Sequence, residues 1–482
     1  PRAKWLRPVV YSLALAVYCS SWTFYGAVGT AARTGLGFLP IYLGPLLLLI
    51  FSWRILERLV LISGENRIVS IADFLSSRYG RAPGLAALVA SVALIAAIPY
   101  VALQFKAVAM SVQVLAGTPA DPGVFGDPAF YVALLLAVFS ILFGTRQIDA
   151  TEHHHGMVLA VALESLVKLL AFLAIGVFAL THLPGTGGLF ERMSDAARVV
   201  VTPNLPTGFA AQTLLAFAAI LCLPRQFHVA VVECQDPNDV RAARWMFGGY
   251  LVLFSLLVVP ITLAGQAVLA GTGVSPDTYV LALPLALNQD TLALVVYVGG
   301  FSAATGMVIV SSVALATMVS NDLVMPVLLR TKALRQGPGI DRQVLWVRRL
   351  TILALAMLAY AYHRGSGGQN TLAQHGLLAF AAVAQFAPAL IGGLYWRGAS
   401  RPGALAGVLA GTLVWAYTLL LPALIWLAVR LLPPAVVVDS RAQADAWMAT
   451  QGHKPVSRAG AVLIVGVWLA VAFGAWVWWS GR

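Results

Sequence analysis

The stretch Tyr18–Thr23, with the sequence YCSSWT, interrupts an apolar run that extends from about residue 8 to residue 30. Gly26 and Gly29 follow it closely. A break in a membrane helix frees backbone carbonyl and amide groups, and lipid offers them no hydrogen-bond partner. We therefore expect the helix to break here and the break to face a binding site inside the protein.

A second apolar run breaks in a similar way. It covers residues 208–223 and ends at Pro224–His228, with the sequence PRQFH. The two breaks lie in the first and sixth apolar runs, and an offset of five spans reverses orientation, so they predict inverted-topology repeats over residues 8–181 and 208–396. Glycine and proline are also common in ordinary membrane helices, so either break alone fits that interpretation as well.

Composition indicates a polytopic membrane protein. Hydrophobic residues make up 60% of the 482-residue chain, charged residues only 10%, and the mean hydropathy is +0.84. A soluble core does not bury so large an apolar fraction. The predicted fold is all-α, with a core over residues 1–400 and two additional C-terminal helices over residues 401–482. About twelve runs are long enough to cross about 30 Å of hydrocarbon. They are 8–30, 36–62, 84–117, 128–145, 154–181, 208–224, 244–271, 290–320, 345–363, 371–396, 402–431 and 458–480.

The net charge of +12 is distributed as topogenic charge. Lys and Arg concentrate in alternate loops, above all between Arg330 and Arg349, whereas the loops around Asp121 and Asp277 carry no base. The positive-inside rule then predicts that both ends of the chain are cytoplasmic and that nucleic acid is not a partner. No P-loop, catalytic triad or metal-ligand spacing occurs, so we expect neither an enzyme nor an ATP-driven pump.

Two opposite charges lie in the fifth run. Glu164 and Lys168 are four residues apart and share one helix face. A charge at bilayer depth costs about 2.5–3.5 kcal/mol, so we expect both in the protein interior, as a pair that neutralises itself. Pure scaffolding is an equally good interpretation of this pair. Lys106 has no acid within reach on its own helix, and we expect its partner on another helix or on a solute carboxylate.

Several runs resemble the membrane part of CbrA-type sensor histidine kinases, which fuse a sodium/solute symporter domain to a cytoplasmic kinase. They are YCSSWTFYG at 18–26, IYLGP at 41–45, SIADFL at 70–75, PYVALQFK at 99–106 and DATEH at 149–153. The resemblance covers nearly the whole chain and weakens after about residue 400. It implies a LeuT-like core of two five-helix repeats in a bacterial inner membrane. It also implies an amino acid as solute, with L-histidine foremost, and kinase domains elsewhere in a longer parent protein.

The resemblance also implies where a sodium ion would bind. Its carbonyl ligands would come from Ala16, Cys19 and Ala303, and its two hydroxyl ligands fall at Gly306 and Met307, which have no hydroxyl. Hard cations require oxygen ligands, so we expect a degraded sodium site and no bound metal. A shifted register would offer other hydroxyls instead: Ser302, Thr305, Ser311 and Ser312.

A proton is the predicted coupling ion in place of sodium. Glu152 matches an acidic position of the symporter family near the start of the fifth helix, and a partly buried carboxylate can carry a proton. Stabilisation of the helix N-terminus is an equally good interpretation of Glu152.

The solute is expected between the two breaks and the facing side of the third span. Amides at a half-helix N-terminus suit a carboxylate, and an aromatic ring can stack on an imidazole, although ordinary packing also explains the aromatic residues. The candidate residues are Cys19, Ser20, Ser21, Trp22, Tyr100, Gln104, Leu221 and Cys222. The sequence thus predicts a secondary amino-acid transporter that reports to a kinase. The alternative is a receptor that binds an amino acid and signals without transporting it.

Overall fold

The computed structural model describes residues 6–117, 123–144, 155–183, 191, 205–328, 340–366 and 371–431, and every regular element within these ranges is helical. The chain divides into two compact units, residues 1–394 and residues 395–482. The first unit contains both breaks and all the described candidate residues. Glu152 and the predicted span 458–480 lie outside the described residues.

The α-helices are labelled in chain order. They are α1 Leu6–Leu15, α2 Ala27–Thr34, α3 Pro40–Phe51, α4 Trp53–Asn66, α5 Ile71–Arg78, α6 Pro83–Ala116, α7 Pro128–Gly144, α8 His155–Thr181, α9 Phe209–Cys222, α10 Pro224–Phe227, α11 Pro237–Val268, α12 Tyr279–Ala286, α13 Asp290–Met318, α14 Met325–Leu328, α15 Ile340–Gly365, α16 Leu372–Ala384, α17 Ala387–Tyr395 and α18 Arg401–Leu431. Short 3₁₀ or π turns connect several of them.

Six of the described helices are long and apolar enough to cross a membrane, or up to eight if each of two bent pairs counts as one span. The protein is therefore an all-helical multi-pass membrane protein, while the full set of twelve spans stays a prediction. One predicted span, 36–62, is divided at Ser52, where α3 ends and α4 begins. Arg54, Glu57 and Arg58 give α4 a charged face that hydrocarbon would not accommodate.

Polar side chains cap the helices where the chain turns between spans. The Ser70 hydroxyl accepts the Asp73 N–H at 3.0 Å at the start of α5. Asp236 accepts the Asn238 N–H at 2.9 Å at the start of α11. Thr371 forms a reciprocal capping box at the start of α16. Each cap satisfies backbone donors that have no partner within their own helix.

The helices that contain the buried lysines lie at the centre of the first unit. α8, which contains Lys168, packs against α1, α11 and α13. α6, which contains Lys106, packs against α13, α15 and α16. This arrangement places both lysines among other helices, which is where an intramembrane charge is tolerated.

α3 and α9 approach closely at Gly44. A Cβ atom on this residue would lie 2.5 Å from the backbone nitrogen of Phe217 and 2.6 Å from the Cβ of Ala216. Both obstacles belong to backbone or to a residue without flexibility, so the two helices would have to separate.

We predict that Gly44→Ala lowers the free energy of unfolding by about 1–3 kcal/mol through overpacking. Gly249→Ala is the matched control, because nothing lies within 4 Å of the added methyl group there, and it should be neutral or slightly stabilising. The measurement is the thermal unfolding midpoint of the purified protein in detergent. Equal midpoints for the two variants would contradict this helix contact.

Candidate solute and cation site

The expected break in the first helix lies between α1 and α2. A 3₁₀ turn at Ala16–Tyr18 follows α1, and Cys19 then leaves the helical region with ψ 89°. A π turn at Trp22–Gly26 leads into α2. The carbonyl groups around Cys19 therefore have no regular helical partner, although they are deeply buried.

Lys168 supplies the partner for these carbonyls. Its Nζ donates hydrogen bonds to the carbonyl oxygens of Ala16 at 2.6 Å and Cys19 at 2.8 Å. Its side chain is almost completely buried. These two oxygens are the helix-one ligands that the resemblance implies for a sodium ion. The ammonium group thus lies where a bound cation would be expected, held by charge-assisted hydrogen bonds.

The predicted direct pairing of Glu164 with Lys168 is not formed, because no ion pair joins these two described residues. Lys168 instead donates to the carbonyl oxygens of the broken helix, of which that of Ala16 also accepts the Cys19 N–H at 3.0 Å. Thr305 donates to Glu164 Oε1 at 3.2 Å, and Glu164 Oε2 is buried without a hydrogen-bond partner. A Cβ atom on Gly306 would collide with Oε2. Glycine at this position therefore makes room for the carboxylate, which explains one of the two missing hydroxyls.

Three of the four hydroxyls that a shifted register would offer, those of Ser302, Thr305 and Ser311, form hydrogen bonds. Ser302 donates to the backbone carbonyl of Glu164 at 3.0 Å, and Thr305 donates to the Glu164 carboxylate. Met307 presents its thioether to Ser311. Two of the four alternative hydroxyls, those of Ser302 and Thr305, are thus bound to Glu164.

The third span contacts the break as expected. The hydroxyl groups of Ser20 and Tyr100 are 3.0 Å apart, and the Ser21 N–H donates to Gln104 Oε1 at 3.1 Å. The structure therefore brings these four candidate residues together. Cys19 and Trp22 flank them in the chain.

The second break lies between α9 and α10. Leu221 and Cys222 end α9, Leu223 is extended with ψ 126°, and Pro224 begins α10. Gln226 Nε2 donates to the Leu15 carbonyl at 3.2 Å, so the two breaks are joined directly. Leu221 and Cys222 are buried beside this junction.

Two cavities are lined by members of an aromatic layer made by Trp22, Phe380 and Tyr100. The larger, of about 490 Å³, is lined by Trp22 and by residues where α2 ends and α9 and α16 begin. The smaller, of about 20 Å³, is lined by Tyr100 and by the break at Leu223–Arg225. Phe380 packs edge-on against Trp22 at 4.9 Å and stacks on Tyr100 at 6.0 Å.

Neither Phe380 nor Arg225 was a sequence candidate. An arginine directly after the helix-breaking proline was the one signal available.

Lys106 is buried farther along α6, where Asp277 contributes to its electrostatic environment. Asp277 also pairs with Arg33 at 2.6 Å and accepts the Leu372 N–H at 3.4 Å. This cluster joins the ends of α2 and the loop before α12 to the start of α16. On the opposite side, Arg7 pairs with Asp236 at 2.6 Å.

Two membrane helices that break near their middles and are joined at their breaks are typical of a membrane transporter of the LeuT-like class. The chain belongs to the sodium:solute symporter family, which matches residues 4–411. It is 22% identical over 433 residues to the osmoregulated proline transporter OpuE of Bacillus subtilis, covering 86% of this chain and 82% of that protein.

Solved structures show the same fold. A Na⁺-coupled sialic acid symporter in a substrate-bound, outward-open state superposes with a TM-score of 0.60 at 14% identity, covering 84% of this chain and 82% of that one. The manganese transporter of Eremococcus coleocola superposes with a TM-score of 0.51 at 15% identity, covering 99% and 95%. Within the described residues, no group of three or more His, Cys, Asp or Glu side chains is placed to hold a metal ion.

We predict that Lys168→Met lowers the free energy of unfolding by about 3–5 kcal/mol, because it removes the ammonium donor from two buried carbonyls and leaves Glu164 without a nearby cation. Adding Glu164→Gln should recover part of this loss. The measurement is the thermal unfolding of the detergent-solubilised protein, with Lys106→Met as the matched control for a buried lysine on a different helix, α6. Wild-type stability in Lys168→Met would show that the ammonium does not hold helix one.

Proposed function

We propose that this chain is a secondary transporter for an amino acid, with L-histidine as the foremost candidate, and that its transport is coupled to protons rather than to sodium. The observation that carries the proposal is the Lys168 ammonium on the carbonyl oxygens of Ala16 and Cys19. In this account, a cation covalently attached to α8 replaces the exchangeable ion.

Electrostatics supports sodium independence at this position. Two unit charges about 4 Å apart repel by about 4 kcal/mol at an effective dielectric constant of 20. A sodium ion would therefore have to displace Lys168 from its two oxygens. Gly306 and Met307 offer no hydroxyl to compensate for this cost. The hydroxyl of Thr305 is already bonded to Glu164.

Protonation of Lys168 supplies a route to coupling. The charged ammonium holds α1 and α8 together through helix-one carbonyls. A neutral amine makes weaker hydrogen bonds, so loss of the proton would loosen helix one and permit it to move. Glu164 lies on the same face, and its buried Oε2 has no partner, so it is the nearest candidate to exchange a proton. Glu152, predicted as a further proton carrier, lies outside the described residues.

The amino-acid assignment rests on sequence resemblance and on the chemistry of the breaks. The related OpuE is a proline transporter. Trp22 lines the larger cavity, and an aromatic ring can stack on a planar imidazole. In a longer parent protein, we propose that solute occupancy or flux is passed to cytoplasmic kinase domains and that both ends of this chain face the cytoplasm of a bacterial inner membrane.

A receptor that binds an amino acid without transporting it is the second candidate. The fixed position of Lys168 favours it, because a tethered cation cannot dissociate and diffuse away as sodium does. Net uptake separates the two functions.

We predict that proteoliposomes containing the protein accumulate radiolabelled L-histidine when a pH gradient or a membrane potential is imposed, and that replacing sodium with choline leaves the rate unchanged. Empty liposomes and Lys168→Met are the controls. Loss of uptake in choline at constant pH and potential would contradict proton coupling. Saturable binding without uptake under any gradient would assign the chain as a receptor.

We also predict that Lys168→Ala converts the protein to one that sodium stabilises, because the substitution frees two carbonyl oxygens and leaves space for an ion. The unfolding midpoint of this variant should rise by several degrees in NaCl relative to choline chloride. The wild type and Lys106→Ala should not respond. A sodium response in the wild type equal to that of Lys168→Ala would contradict the substitution of ammonium for ion.

A further inference from the structure

A second buried cation, Arg225, lies at the break between α9 and α10. Its side chain is about 2% exposed, and neither Nε nor Nη2 has a hydrogen-bond partner. In the described part of the chain no carboxylate forms an ion pair with it. A buried guanidinium without an anion is costly, so such groups are usually kept where a ligand completes them.

Arg225 is packed against an aromatic ring and also lines a cavity. Its guanidinium carbon lies 4.2 Å from the centre of the Tyr100 ring, which covers one face. The same side chain lines the 20 Å³ cavity together with Ser311 and Met307. A cavity of this size holds about one water-sized group in the present conformation. The cation therefore packs on Tyr100 and lines a cavity that the second break shares with α6, α13 and α16.

We propose that Arg225 binds the carboxylate of the transported solute in this inner cavity. A guanidinium donates two parallel hydrogen bonds that match the two oxygens of a carboxylate, and burial strengthens this pairing. Lys168 is already committed to the carbonyls of helix one, whereas the donors of Arg225 remain available. This inference rests on the proposed transport of an amino acid, and it adds that the solute must have a free carboxylate.

The location of the second break explains how the contact between Arg225 and a carboxylate would form and break. Arg225 follows Pro224, the first residue of α10, and the neighbouring Gln226 is bonded to the Leu15 carbonyl of helix one. Movement of α9 or α10, the two halves of this broken helix, therefore changes the width of the cavity. The present cavity must widen to admit more than a water-sized group, so carboxylate binding is tied to a change at the two breaks.

The test uses the full chain in detergent and measures the rise in its unfolding midpoint with each of the twenty L-amino acids. Every L-amino acid that stabilises it is compared with its decarboxylated amine, for example L-histidine with histamine. Acetate and propionate are tested as the simplest carboxylates. Arg225→Gln and Arg225→Lys are compared with Arg54→Gln, which removes an exposed arginine from α4.

We expect the wild type and Arg54→Gln to bind the amino acid at least about 30-fold more tightly than its amine. Arg225→Gln should lose this preference, and Arg225→Lys should retain part of it. Ligand-free Arg225→Gln should be at least as stable as the wild type, because an unpartnered cation has been removed. Failure of this variant to fold would show that the guanidinium is structural and would overturn the inference.

The remaining outcomes separate this inference from the proposed function. Amino-acid binding that does not depend on the carboxylate or on Arg225 would overturn the inference and leave the proposed function standing. Binding of acetate or propionate through Arg225, with no amino acid bound, would support the carboxylate site and contradict amino-acid transport. Binding of no carboxylate of either kind would overturn both.

Discussion

The contact between the Lys168 ammonium and the carbonyl oxygens of Ala16 and Cys19 links the broken first helix to α8. A helix that breaks inside a membrane must satisfy its freed backbone groups, and lipid cannot do so. In this protein a side chain of α8 satisfies them. The break in helix one, the charge on α8 and the small residue at Gly306 beside Glu164 are thus parts of one arrangement.

This arrangement organises the surfaces that a solute would meet. Tyr100 and Gln104 of α6 contact Ser20 and Ser21 at the first break. Gln226 joins the second break to Leu15. If the hydrogen bonds between Lys168 and helix one changed, the effect would pass to α6 and α10 through hydrogen bonds rather than through a long series of apolar contacts. Energetic coupling between two sites requires a structural element that can adopt two arrangements.

The sequence predicted the class and the breaks because both depend on local composition. YCSSWT and PRQFH interrupt apolar runs, and the structure breaks its helices at both places. The partner of Lys168 could not be predicted in the same way. Its spacing from Glu164 suggested a pair within one helix, but tertiary packing brought freed carbonyls of another helix nearer. Arg225 was missed because one charge beside a proline resembles a helix end until its burial is known.

The ends of the helices could not be predicted from the sequence pattern alone either. Hydropathy alone joined residues 36–62 into one span, whereas the charged face of α4 separates it from α3 at Ser52. The acid at Glu152 was inferred from a matched motif, and it lies outside the described residues, so its part in proton transfer remains a prediction. Hydrophobic residues that repeat with the period of an α-helix identify a helix, but they do not show which neighbouring element its polar groups will contact.

An experimental map of the protein in thallium-containing buffer would show which cation occupies the helix-one carbonyls, since thallium is a monovalent cation that anomalous scattering can locate. We expect density that places Lys168 Nζ within hydrogen-bond distance of the Ala16 and Cys19 oxygens and no thallium peak there. In Lys168→Ala a thallium peak should appear at those oxygens. A peak between the two carbonyls of the wild type, with the lysine turned away, would contradict the account.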